Sequence, residues 1–237
     1  MQLKLNKIVP FIVLLCLILV VFNGYYFFIR RGVGPYFYIN KFLYEPTDNI
    51  IHTDMYKDLS EEYLNLNKQI FDPKIVFVGD SITKLFNIRE FSGKIEVINR
   101  GIFSDTTHGL LNRLEININN LKIEKLFVMI GYNDLIFRTN LEIVHNIKQI
   151  LLKSKAAQIY IQSLLPVKSD RKEINDRIIS INDQLKKMAV DGGYIYVDLH
   201  SHFIAGDNGI KPELTRDGIH PNYFGYKLWF SLIEPLL

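Results

Sequence analysis

A chain of 237 residues has the length of one domain with a short appendage, and its 48% hydrophobic and 13% aromatic content can fill a packed core. The net charge of +3, without a Lys/Arg block, gives no ground for nucleic acid as a partner. The single cysteine, Cys16, excludes an intramolecular disulfide and any CxxC metal or redox motif.

Residues 8–29 carry no charge and are nearly all apolar or aromatic. About 20 such residues suffice to span a bilayer as a helix. Lys4 and Lys7 precede the run, Arg30 and Arg31 end it, and Tyr25 and Tyr26 sit near its far boundary, as interfacial aromatics do. A cleaved signal peptide would want a shorter apolar stretch and a small-x-small site, and neither is evident. The expectation is an uncleaved transmembrane helix within residues 1–29, a juxtamembrane linker over 30–54, and one folded domain over 55–237. Positive charges flank both ends of the apolar run. A head of only seven residues is easily left in the cytoplasm, which favours a domain outside it.

Tyr56, Leu59, Tyr63, Leu66 and Ile70 then recur at spacings of three and four, which predicts an amphipathic helix packed on the domain that follows. From Lys74 onward strand and helix patterns alternate. Short β-branched and aromatic runs predict strands over 75–79, 95–99, 126–130, 158–162 and 194–198. Helical periodicity covers 106–117, 139–153 and 172–189. A helical stretch is expected from Ile82 to Phe91, and a last helix starts at Pro221, a favoured first-turn residue. Five strands alternating with helices imply a parallel sheet covered on both faces. Ligands of such open sheets bind outside the carboxyl ends of the strands.

Four chemistry-bearing elements fall at such ends. Ser81 follows the first strand through Gly79 and Asp80 and precedes the helical stretch, a bend that exposes its hydroxyl beside unpaired N–H groups. A serine there is a weak nucleophile until a base takes its proton; on its own it reads equally as a plain helix N-cap. His220 is the natural base, and Asp217 three residues earlier can accept its Nδ1–H and orient it. Gly218 between them permits the tight bend. Gly101, after the second strand, can offer an N–H with no side chain in the way. Asn133, after the third, can offer its amide N–H, and together they form candidate donors for an oxyanion. Either of these alone reads as a turn residue.

The joint pattern resembles the SGNH (GDSL-type) hydrolase family, named for Ser, Gly, Asn and His in four sequence blocks. Gly79-Asp80-Ser81, Gly101, Gly131-x-Asn133-Asp134 and Asp217-x-x-His220 match those blocks, and the likeness covers residues 55–237. The stretch 99–107, with Gly109-Leu110-Leu111 beyond it, is similar to the branch of platelet-activating-factor acetylhydrolase catalytic subunits. Ser104 stands where that branch often has glycine, and Ile82 replaces the leucine of the eponymous string. The resemblance implies a three-layer α/β/α flavodoxin-like fold, ester hydrolysis through an acyl-enzyme with neither metal nor other cofactor, and the N–H of Ser81 as a third oxyanion donor. A short-acyl ester of a carbohydrate or lipid is the expected substrate, since acetylated surface glycans suit an external anchored enzyme and small acyl lipid esters suit the anchor. An O-acyltransferase using the same site and a noncatalytic glycan- or lipid-binding module remain as other readings.

Several other residues invite notice. Asp198, His200 and His202 are expected to share a face at the end of the fifth strand, which suggests a metal site only until one asks for a fourth ligand. His108 is expected near the start of the helix that follows the Gly101 loop. Asp80 and Asp134 are expected to organise loop hydrogen bonds rather than to move protons.

Overall fold

A computed structural model describes residues 54–69, 74–93 and 96–237. The apolar run 8–29 and all of the 30–54 linker except Asp54 lie outside the described residues. Among the described residues no helix is long and apolar enough to cross a membrane.

The chain enters as helix α1 (Asp54–Asn67) and then alternates β1 (Ile75–Gly79), α2 (Ser81–Lys84), α3 (Ile88–Ser92), β2 (Val97–Asn99), α4 (Thr107–Asn117) and β3 (Lys125–Met129). It continues through α5 (Asn140–Lys153), β4 (Gln158–Gln162), α6 (Lys172–Gly192), β5 (Ile195–Val197), α7 (His200–Phe203) and α8 (Tyr223–Ile233). All four strand pairings are parallel, in the order β2-β1-β3-β4-β5. Right-handed crossovers put α2 and α3 on one face of the sheet and α4, α5 and α6 on the other. Helix α8 packs beside α3, completing three layers. The order reverses between β1 and β3, so the crevice for a ligand opens outside the carboxyl ends of those two strands.

Strands buried on both faces need continuous apolar sequence, and β1 and β3 supply it: Val76, Phe77, Val78, Leu126 and Phe127 are all fully buried. The register places Phe77, Phe127 and Tyr160 side by side across β1, β3 and β4. Their rings stack at centroid separations of 4.5 and 4.3 Å. Phe86 meets Phe77 edge-on and lies 4.7 Å from Trp229, carrying the aromatic column from the sheet into α8. Each such pair adds about 0.5–1.5 kcal/mol beyond the area it buries. The indole of Trp229 donates to Gln162 Oε1 at 2.7 Å, so the column ends without an unpaired N–H.

Three expectations are corrected, each by a side chain that captures backbone. The stretch 82–91 is two short helices. Asn99 Nδ2 donates to the carbonyls of Thr83 and Phe86, taking groups that a continuing helix would need. Helix α8 starts at Tyr223 rather than Pro221, because Asn222 caps it by accepting from the N–H of Gly225, while Pro221 bridges to Thr215. Strand β5 ends at Val197: Ser163 Oγ accepts from the N–H groups of Leu199 and His200 and draws the chain into α7. Asp198, His200 and His202 therefore do not share a strand face. Among the described residues no three His, Cys, Asp or Glu side chains are grouped to hold a metal ion.

Candidate active site

Ser81 opens α2 immediately after β1. Asp80 is the cap, its carboxylate accepting from the N–H of Ile82 at 2.9 Å. This turns the chain sharply at the strand end and leaves the N–H of Ser81, the first helical residue, without an intrahelical acceptor. The Ser81 hydroxyl lies 2.9 Å from His220 Nε2.

The histidine comes from a loop closed on itself. Arg216 N–H and the Thr215 hydroxyl both donate to the carbonyl of His220. Gly218 adopts φ +84°, a left-handed conformation that a side chain would strain, and it lets residues 215–221 fold back. Asp217 divides its carboxylate between two tasks. Oδ1 accepts from the backbone N–H groups of Ile219 and His220, and Oδ2 lies 2.7 Å from His220 Nδ1. Burial pushes this carboxyl up, but the bonds from His220 and Ile219 outweigh it and hold it below its ordinary value. Asp217 is thus ionised at neutral pH, oriented to fix His220 with Nε2 free to accept from Ser81. The helix that follows this loop is tied to α2 as well: Tyr226 on α8 donates to the carbonyl of Ile82 at 2.8 Å.

The structure also brings the two expected oxyanion donors to the ends of β2 and β3, on either side of β1, with unequal availability. Asn133, just beyond β3, spends one Nδ2 hydrogen on the carbonyl of Asp105 at 2.9 Å, which fixes its plane and leaves the second hydrogen to a ligand. The N–H of Gly101, expected to stand open, instead donates to Asn99 Oδ1 at 2.8 Å. Because Asn99 Nδ2 is held by Thr83 and Phe86, that acceptor cannot swing away without breaking two further bonds. Gly101 must still be glycine. A Cβ there would come within 2.5 Å of Lys84 N in α2.

Three carboxyls lie beneath these loops. Asp105, fully buried, takes two bonds from Arg113, itself 1% exposed. Burial pushes Asp105 up and Arg113 pulls it down. Asp134 receives the N–H and hydroxyl of Thr107 and an ion pair from Arg138. Burial nevertheless lifts Asp134 to about 6. Asp80 has no basic partner of this kind among the described residues, and burial pushes it up to about 7. All three bind backbone or neighbouring side chains of the strand-end loops, the organising role expected for Asp80 and Asp134. Burial likewise pushes the Tyr132 phenol up. Arg171, hydrogen-bonded to it, pulls it down, and Asp80 and Asp217 raise it further.

Ser104, flagged as a departure, sits at φ +58°, the left-handed conformation glycine adopts without strain. His108 lies in the first turn of α4 and lines a cavity with Arg138, Glu142 and His145. The clamps around the site leave little trace in the sequence: Asn99 on Gly101, Arg113 on Asp105, Tyr226 on Ile82. Each joins residues with no local periodicity, and only the Asn99–Gly101 spacing of two could have suggested an Asx-type turn.

The GDSL-like lipase/acylhydrolase family model matches residues 77–228. No curated protein sequence matches the chain. Among solved structures, a Streptococcus pneumoniae protein provisionally assigned as a platelet activating factor superposes with a TM-score of 0.70 at 22% identity, covering 83% of this chain and 99% of its own. One provisionally assigned as an acylhydrolase, from Bacteroides fragilis, gives 0.67 at 26% identity, covering 74% and 94%. An acetylxylan esterase from Geobacillus stearothermophilus gives 0.59 at 17% identity, covering 68% and 92%. With its serine, histidine and aspartate joined in one hydrogen-bonded line at the end of β1, the chain belongs to the GDSL-like lipase/acylhydrolase family and is a hydrolase of ester bonds.

Proposed function

We propose that the protein is a serine esterase that removes short, acetyl-like acyl groups from a carbohydrate or lipid ester through an acyl-enzyme. The observation that carries this reading is the line Asp217 Oδ2–His220–Ser81 Oγ, with contacts of 2.7 and 2.9 Å. His220 Nε2 takes the Ser81 proton as Oγ attacks the ester carbonyl, and Asp217 stabilises the imidazolium formed. The N–H of Ser81 and the free Nδ2 hydrogen of Asn133 receive the oxyanion. The Gly101 N–H joins them as a shared donor, still bonded to Asn99. His220 returns the proton to the leaving alcohol, then activates water to release the acid and free Ser81.

The similar fold of an enzyme named for acetylxylan supports a small acyl group on a glycan. The uncharged run 8–29 supports a membrane anchor, with the catalytic domain outside the cytoplasm. The purified protein should hydrolyse p-nitrophenyl acetate and react with a fluorophosphonate, and Ser81→Ala should abolish both. Undiminished turnover in that variant would refute the assignment. Protease digestion of intact cells tests the placement: complete protection of the domain would reject an external site.

A further inference from the structure

Helix α1 lies before the residues that the family model matches, yet its side chains close on the loop that carries Gly101. Tyr63, 3% exposed, donates its hydroxyl to the Gly101 carbonyl at 2.6 Å. The same hydroxyl accepts from the Lys84 ammonium at 2.9 Å, so a cation stands behind the donor and strengthens it. One turn further along α1, Asn67 Oδ1 accepts two bonds from the Arg100 guanidinium, the residue just before Gly101. The charged ends of Arg100 and Lys84 lie 4.8 and 5.1 Å from the centroid of the Tyr63 ring. Ile102, fully buried, packs with Tyr56 and Tyr63, and its N–H donates to the Gly79 carbonyl.

These bonds answer a physical problem. A glycine is required at position 101 because α2 passes too close for a Cβ. Glycine is also the residue whose peptide planes rotate most freely. An oxyanion donor must be held still before the charge forms, since reorientation during reaction forfeits the gain. Asn99 holds the N–H side of Gly101, and Tyr63 holds its carbonyl side.

We propose that Tyr63 is a positioning residue for Gly101, so that α1, outside the family-matched segment, forms part of the oxyanion apparatus. The inference rests on the esterase reading above and concerns which residues set its rate. It predicts an effect on the chemical step, because Tyr63 bonds a backbone carbonyl of the loop and no substrate atom.

Helix α1 supplies its own control. Tyr56, on the same face, donates to the carbonyl of Gly109 in α4 at 2.7 Å, a bond of the same kind to a residue outside the Gly101 turn. In full-length protein assayed with p-nitrophenyl acetate, Tyr63→Phe should lower kcat about tenfold with KM changed less than twofold. Tyr56→Phe should shift the melting temperature comparably but keep kcat within twofold. Equal kcat in the two variants, or a loss in Tyr63→Phe confined to KM, would overturn the proposal. If Tyr63→Phe does not melt cooperatively, Lys84→Met carries the test. It keeps the phenol and removes the cation behind it, so kcat should fall about threefold, and an unchanged kcat would overturn the proposal. Loss of α1 positioning with Ser81-dependent turnover intact refutes this inference alone. Turnover that survives Ser81→Ala refutes the esterase reading and this inference with it.

Discussion

Replacing Asp217 by Asn changes one atom at the site and tests the whole proton path. The new side chain keeps an oxygen to accept from the N–H groups of Ile219 and His220, so the turn that holds the loop survives. Its amide NH2 now faces His220 Nδ1 across the former 2.7 Å contact, and an NH2 group cannot accept the Nδ1 proton. The ring responds by moving its proton to Nε2, where it points at Ser81 and can no longer act as a base. In a fully buried triad this change of tautomer costs about 10⁴ in kcat. The Asp217 side chain is 47% exposed, so water already shares in stabilising the imidazolium and less is lost with the carboxylate. We expect about a 10³-fold fall in kcat, about 4 kcal/mol of transition-state stabilisation, with KM little changed. Initial rates on p-nitrophenyl acetate from pH 6 to 9, beside a thermal melt to show the fold unaltered, make the measurement. A variant folded like the parent and within tenfold of its kcat would refute the orienting role.

Other consequences follow from the buried groups. Asp80 titrates at about 7 when folded and near 4 when unfolded, so between those values the folded state holds a proton the unfolded state lacks. Its contribution to stability is therefore full below about pH 4 and lost as pH rises through about 7. Asp80→Asn, which retains the cap on Ile82, should melt higher relative to the parent at pH 8 than at pH 5, and a pH-independent difference would count against the burial argument. Arg113→Met leaves Asp105 in the core without its cation. The cost should reach about 3 kcal/mol in urea unfolding at pH 7, limited because the carboxyl can take a proton. Ser104→Gly relieves a left-handed serine worth about 1–2 kcal/mol, partly offset by a more flexible unfolded chain. A rise of about 2 °C in melting temperature is expected, and a fall would show that the Ser104 side chain contributes more than its backbone costs.

What the sequence disclosed follows the range of the forces involved. Strands β1 and β4 lie where their apolar runs put them, at 75–79 and 158–162, because burial on both faces writes itself into consecutive residues. The Asp217–His220 contact was legible for a similar reason, since the two residues are joined within a single turn. Boundaries failed where a distant side chain took over a backbone group. Asn99 divides α2 from α3 from the end of β2, and Ser163 ends β5 from the end of β4. The same Asn99 closes off the Gly101 N–H that strand-end position alone suggested was open. A glycine at a strand end announces room for a donor, but whether the donor is engaged depends on a partner that has no periodicity to betray it.

The loop 215–221 divides the catalytic line unevenly. The His220–Asp217 contact lies inside a segment sealed by Thr215, Arg216 and the Pro221 bridge, and it travels with that segment as a body. The Ser81–His220 contact joins residues 139 positions apart and depends on how the segment docks. In the segment itself Lys168 N–H donates to the Gly218 carbonyl and Ile219 packs against the core, and just beyond it Tyr226 on α8 donates to the Ile82 carbonyl. Small excursions of such a segment require far less free energy than melting the sheet beneath it. Mild denaturant is therefore expected to part His220 from Ser81 while the five strands stay paired, with activity restored on dilution without a refolding step.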